Sequence, residues 1–155
     1  MLAMYLPPPN VFPGATALYL STREQNVSKP LLLLFLNSLA EPIFDLDWYR
    51  AAYPDVAAAV RKGELSSEFN HFIDAGYWEG RMPCFFNVNE SWYEKYNPDV
   101  SAGIKSGSIA SGSAHYNSRG YFEGRFPKEP VGLIEESWYY AVSRQVAEIS
   151  KGATK

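Results

Sequence analysis

The chain has 155 residues, 46% hydrophobic and 15% aromatic, which is the composition of a folded protein and not of a disordered one. A formal net charge of −3 supplies no global positive field to draw in nucleic acid or anionic lipid. A lone cysteine, Cys84, excludes an internal disulfide framework and any multi-cysteine zinc site.

In chain order, residues 1–29 read as an irregular arm, because Pro7, Pro8, Pro9 and Pro13 interrupt it early. Its start lacks a basic region followed by an apolar run, so no Sec signal is expected, and the compartment stays open between cytoplasm and envelope. Such an arm has little reason to fold alone, which suggests a subunit of a larger complex bound through it. Residues 30–43 then read as a short apolar helix opened by Pro30, which suits a first helical turn. Its apolar core, residues 31–36, is about a third of the roughly 20 residues a membrane span needs, so no span is expected. Pro42 and Phe44 after it mimic what precedes Trp92, so the segment also reads as a degenerate fragment of a preceding repeat.

From Phe44 onward the sequence repeats itself. Trp48, Tyr49, Pro54, Asp55, Val56, Gly63, His71, Gly76, Tyr77, Glu79, Gly80, Arg81 and Pro83 all return 44 positions later, with no insertion or deletion between copies. Such a period marks a supersecondary unit used twice, each copy expected to be too small to bury its own apolar face. The first copy, residues 44–86, reads as three short helices. Asp45 and Asp47 precede Trp48 where a helix N-terminus favours acids, and Pro54 ends that helix at Tyr53. A second helix over 56–61 closes at Gly63, and Ser66 or Ser67 caps a third bearing Phe69, Phe72 and Ile73. Gly76 sits where a left-handed C-terminal residue is expected. The second copy, residues 87–130, keeps this grammar: Val60 becomes Ile104, Phe72 becomes Tyr116 and Trp78 becomes Phe122. Residues 131–155 read as a partial third copy, with Trp138 and Tyr139 in a divergent capping helix whose Trp138 docks on the second copy. The expected fold is all-α: two tandem three-helix repeats sharing one interior, with a leucine-rich helix before them and a capping helix after.

Phe44, Asp45, Trp48, Tyr49, the run Tyr53, Pro54, Asp55, Val56 and Ala57, then His71, Phe72, Gly76, Glu79, Gly80, Arg81 and Pro83 together resemble a bacterial tandem repeat. Units similar to it occur beside glycosyltransferase modules of surface-polysaccharide biosynthesis and in large secreted haemolysin-type proteins. The second copy matches from Trp92 to Pro127, with Asn89 at the acidic position and Ser101 at the alanine. The resemblance implies a bacterial protein linked to the cell envelope or its glycans, and it supplies no catalytic residue.

The chemistry-bearing residues have two readings each. His71 and His115 are the only histidines; as bases or ligands they lack a partner nearby in sequence, and as structural groups they would bridge a helix to a loop carbonyl or to Asp55 and Asp99. Glu79 with Arg81, and Glu123 with Arg125, read as a carboxylate and guanidinium binding each other or the backbone around Gly80 and Gly124, and not as a hydrolytic carboxylate pair. Calcium through Asp45, Asp47 and Asp55 lacks the dense ligand loop of a tight site. Trp48, Trp92, Tyr49 and Tyr93 read as core anchors. Tyr77 and Trp78, with Tyr121 and Phe122, fall in turns where one ring of each pair faces solvent, flanked by Arg81 and Arg125; these six are the expected contact surface for a protein partner or surface glycan. The functional expectation is a non-catalytic interaction or scaffold module with no cofactor and no metal. Direct carbohydrate binding is the alternative.

Overall fold

The computed structural model describes Leu6, Pro8 and residues 29–130; the rest of the arm and the expected capping helix, with Trp138, lie outside the described residues. Among the described residues there are seven α-helices and no strand, so this part of the chain is all-α. None of these helices is long and apolar enough to cross a membrane. The chain divides into two compact units, Met1–Phe85 and Phe86–Lys155.

The first unit begins with α1, Lys29–Ala40, followed by a tight 3-10 turn, Glu41–Ile43, with Pro42 in its first turn. Helix α2, Leu46–Ala52, starts where the Asp45 carboxylate accepts the Trp48 N–H at 2.9 Å, a cap that satisfies one of the amides a helix N-terminus leaves orphaned. Pro54 opens α3, Pro54–Arg61, as its first residue, where a missing N–H costs nothing. Gly63, at φ +75°, closes α3: its N–H donates to the Val60 carbonyl at 3.0 Å and the Glu64 N–H to the Ala59 carbonyl at 3.0 Å. Ser67 caps α4, Glu68–His71, by accepting the Asn70 N–H at 3.0 Å. The expected third α-helix then widens: residues Phe72–Gly76 form a π turn, ended by the Tyr77 N–H donating to the Phe72 carbonyl at 2.8 Å.

Gly76 is therefore not left-handed. The left-handed position comes four residues later, at Gly80, with φ +77°. Gly76 is glycine for a different reason, since a Cβ there would meet the Tyr49 hydroxyl at 2.5 Å. The buried cluster of this unit is drawn from Leu6, Leu36, Ala40, Tyr49, Val56, Phe72, Ile73 and Tyr77, all within the unit. Three of these residues, Leu6, Leu36 and Ala40, come from outside residues 44–86, so the first copy's apolar face is covered in part by α1 and Leu6. Helix α1 packs on the π turn through Leu36 and Ala40 and leaves Leu34 and Phe35 exposed.

The second unit contains α5, Glu90–Tyr96, α6, Pro98–Lys105, and α7, Gly112–His115, which runs into a second π turn, Tyr116–Gly120. Asn89, standing where the first unit has Asp45, still caps: its side-chain oxygen accepts the Trp92 N–H at 3.1 Å. Gly107 and Gly124 take the left-handed conformation, at φ +77° and +72°. Phe86, Tyr93, Val100, Tyr116, Tyr121 and Phe126 are its buried apolar residues.

Candidate functional site

The residues singled out in the sequence converge, within each unit, on one small polar network under the turn that follows the π turn. In the first unit the fully buried Tyr49 places its hydroxyl 3.2 Å from His71 Nδ1. Arg81 reaches across the unit to Asp55, donating from Nη1 at 3.1 Å and Nη2 at 3.0 Å, and it also donates from Nε to Glu79 at 2.9 Å. Its guanidinium lies 5.0 Å from the centre of the Tyr53 ring, whose hydroxyl accepts the Met82 N–H at 2.8 Å. In the second unit Tyr93 approaches His115 Nδ1 at 3.0 Å, and Arg125 forks onto Asp99 at 2.9 and 2.7 Å while donating from Nε to Glu123 at 2.6 Å. There Asn97 replaces Tyr53, and its side-chain oxygen takes a further bond from Arg125 at 2.9 Å.

The electrostatics follow from these contacts. The Arg125 fork holds the Asp99 carboxyl down at about 2, and Arg81 holds Asp55 below the usual range in the same way. Burial, reinforced by the neighbouring arginine, pushes His71 and His115 below the ordinary histidine value, while Glu79 and Glu123 pull the other way. Both imidazoles are therefore neutral at neutral pH. Burial raises the Tyr49 and Tyr93 phenols far above theirs. Cys84 is pushed up to about 11, chiefly by burial, which leaves its sulfur a poor nucleophile.

Several expectations are corrected by this geometry. The histidines pair with buried tyrosines and not with Asp55 and Asp99, because the arginines occupy both aspartates. Tyr49 and Tyr93 are the fully buried anchors, while Trp48 and Trp92 are only half-buried. Of the six expected contact residues, Tyr77 and Tyr121 are buried and Arg81 and Arg125 are engaged in the network. Trp78 and Phe122 remain as half-buried rings in the turns, packed edge-on against Tyr77 and Tyr121 at 4.9 and 5.1 Å. Asp45, read as a possible calcium ligand, is the α2 cap, and Asp55 is the arginine's partner. Among the described residues no group of three or more His, Cys, Asp or Glu is arranged to hold a metal ion.

Two arrangements were not read from the sequence. Glu68, buried, pairs with Arg50 at 2.6 Å, yet the second unit has Gly112 and Glu94 at the equivalent places. There Glu90, where the first unit has Leu46, accepts the Gly112 and Ser113 N–H groups at 2.7 and 2.8 Å. The second is the Trp92 and Tyr96 pair on α5, stacked at 4.6 Å and 23°, with Tyr96 49% exposed. Its signal was the four-residue spacing of two rings on one helix. No protein-family model, curated protein or solved structure matches this chain.

Proposed function

We propose that the chain is a non-catalytic interaction module built from two tandem three-helix units with a 44-residue period, and that it serves bacterial surface-polysaccharide or envelope assembly, as its sequence resemblance implies. The observation that carries this reading is the duplication of the polar network. Tyr49, His71, Asp55, Glu79 and Arg81 in one unit, and Tyr93, His115, Asp99, Glu123 and Arg125 in the other, bond mainly to one another. A nucleophile or base must be free to meet a substrate, whereas these groups are engaged with one another around the turn bearing Trp78 or Phe122. A turn held in place by such a network and presenting a half-buried aromatic ring has the makings of a protein-binding hot spot.

The test is co-purification from the native organism with the wild-type chain and with Trp78→Ala plus Phe122→Ala. The reading expects partners of the wild type to be lost from the folded double variant. Equal retention by both would remove these turns as the contact surface. Direct carbohydrate binding is favoured by a separate observation, the exposed Tyr96 ring stacked on the half-buried Trp92, with Lys95 Nζ lying 5.3 Å from the Tyr96 ring centre. Saturable quenching of tryptophan fluorescence by an oligosaccharide, abolished by Tyr96→Ala, would establish it, and a flat response across a glycan array would dispose of it.

A further inference from the structure

The polar network contains a competition that only a proton can set in motion. Glu123 Oε2 lies 2.6 Å from Arg125 Nε and 4.0 Å from His115 Nε2, so one carboxylate oxygen stands between a permanent cation and a neutral imidazole. His115 is nearly buried, with its side chain 10% exposed, and its other nitrogen faces the fully buried Tyr93 hydroxyl. The charged and titratable groups around it are Arg125, Arg119, Glu123, Asp99 and Tyr93. Around His71 they are Arg81, Glu79, Asp55, Asp74 and Tyr49.

A second proton on the His115 ring makes both of its nitrogens donors, whichever of them carried the first. The Tyr93 oxygen on the Nδ1 side must then accept, and Nε2 faces the Glu123 carboxylate as a cation. That attraction competes with Arg125 for the shared oxygen, and Arg125 adds like charge beside the new cation, so the compact arrangement cannot absorb it without moving a group.

We propose that the turn carrying Phe122 is an acid-released latch, in which protonation of His115 draws Glu123 from Arg125 to the imidazolium and loosens the presented ring. This regulation rests on the interaction-module reading only for its biological meaning. The latch itself is a property of the turn. Among the described residues no ion pair joins His71 to Glu79, so the first unit's turn serves as the internal reference.

The experiment is residue-resolved amide exchange and imidazole NMR on the full chain from about pH 7.5 downward through the titration of His115, which burial shifts below the ordinary histidine value. Protection of the amides of residues 121–125, corrected for the intrinsic pH dependence of exchange, should fall by roughly tenfold or more with a midpoint tracking the His115 imidazole, while residues 77–81 hold. The variant His115→Asn should keep constant protection over that range. Unchanged protection of residues 121–125 while His115 titrates would overturn the latch, as would the same fall in His115→Asn or an equal fall in residues 77–81. Should that variant fail to fold, a wild-type midpoint lying more than about one pH unit from the His115 titration would overturn it equally. Because the readout is the turn's own amides, failure here is separate from failure of the alanine test on Trp78 and Phe122.

Discussion

Asn117 offers the sharpest test of reasoning from the structure over reasoning from the repeat. The equivalent residue of the first unit, 44 positions earlier, is Ile73, so a consensus argument would replace Asn117 by isoleucine and expect a more stable second unit. The contacts say the opposite. Asn117 accepts the Phe86 N–H at 2.8 Å and donates from Nδ2 to the Phe86 carbonyl at 3.0 Å and to the Ser113 carbonyl at 3.0 Å. Phe86 lies outside any helix or strand, so Asn117→Ile would strand both of its backbone polar groups at a buried residue. Each of the two stranded groups costs about 1–3 kcal/mol, against about 1–1.5 kcal/mol regained from a half-buried isoleucine, for a net loss of about 0.5–5 kcal/mol, centred on about 3.

The assay is urea unfolding of the full chain followed by NMR, with amides of Tyr93, Val100 and Tyr116 reporting the second unit and those of Tyr49, Val56 and Phe72 serving as internal reference. The second unit's midpoint should fall while the first unit's holds. In the mirror variant, Ile73→Asn sets an amide into the apolar cluster with Leu36 and Ala40 of α1, a helix whose backbone is already paired, and only the first unit should weaken. A second unit equally or more stable with Asn117→Ile would refute the argument.

Gly76→Ala should destabilise the first unit by about 1–3 kcal/mol through overpacking against the Tyr49 hydroxyl, with His71 titrating abnormally by NMR. Gly63→Ala meets nothing within 4 Å and should cost only the roughly 1–2 kcal/mol of a left-handed backbone, without touching His71. Glu68→Gly should weaken the first unit by about 1–2 kcal/mol, from a lost ion pair and a glycine in a helix, and adding Leu46→Glu should recover most of it by recreating the Glu90 contact; thermal unfolding of the single and double variants decides this. Asp99 has a folded value of about 2, below its unfolded one, so its contribution is present above about pH 4 and disappears as pH falls toward 2. With its side chain 61% exposed the effect is screened to about 1 kcal/mol or less, and Asp99→Asn should remove that limb of the acid-unfolding curve.

The sequence announced whatever depends on local chemistry. Asp45, Ser67, Pro54 and Gly63 each act within a few residues of themselves, and each occupies the cap, first-turn or left-handed position its type suggests. Gly76 misled because two different physical needs select glycine, and only a distant tyrosine hydroxyl distinguishes close approach from a left-handed backbone. Tyr49, the partner of His71, and Asp55, the second carboxylate on Arg81, lie 22 and 26 residues away, where no local rule reaches, and the aspartate that looked available to histidine was already taken by arginine. For the contact surface, Trp78 and Phe122 kept partial exposure, while the neighbouring tyrosines turned inward because the residue after the π turn points at Phe72 or Tyr116.

The differences between the units carry as much information as their identities, because they come as compensated sets. Where the first unit buries Glu68 against Arg50, the second deletes the carboxylate at Gly112, reverses the charge at Glu94 and installs Glu90 to satisfy the amides left bare. Where the first fills its interior with Tyr53 and leaves a small Ala52 outside, the second places Asn97 inside and moves a ring outward to Tyr96. Sets of this kind argue against reading any one changed position alone, since each member is harmful without the others. Tyr96 belongs to such a set as well: it stacks on Trp92 at 4.6 Å, as Tyr53 lies edge-on to Trp48 at 5.9 Å in the first unit, so the ring that left the interior still packs on its tryptophan. Tyr96→Ala therefore has to be read together with the second unit's urea midpoint, and only a loss of quenching with that midpoint held separates the carbohydrate reading from the protein-partner reading.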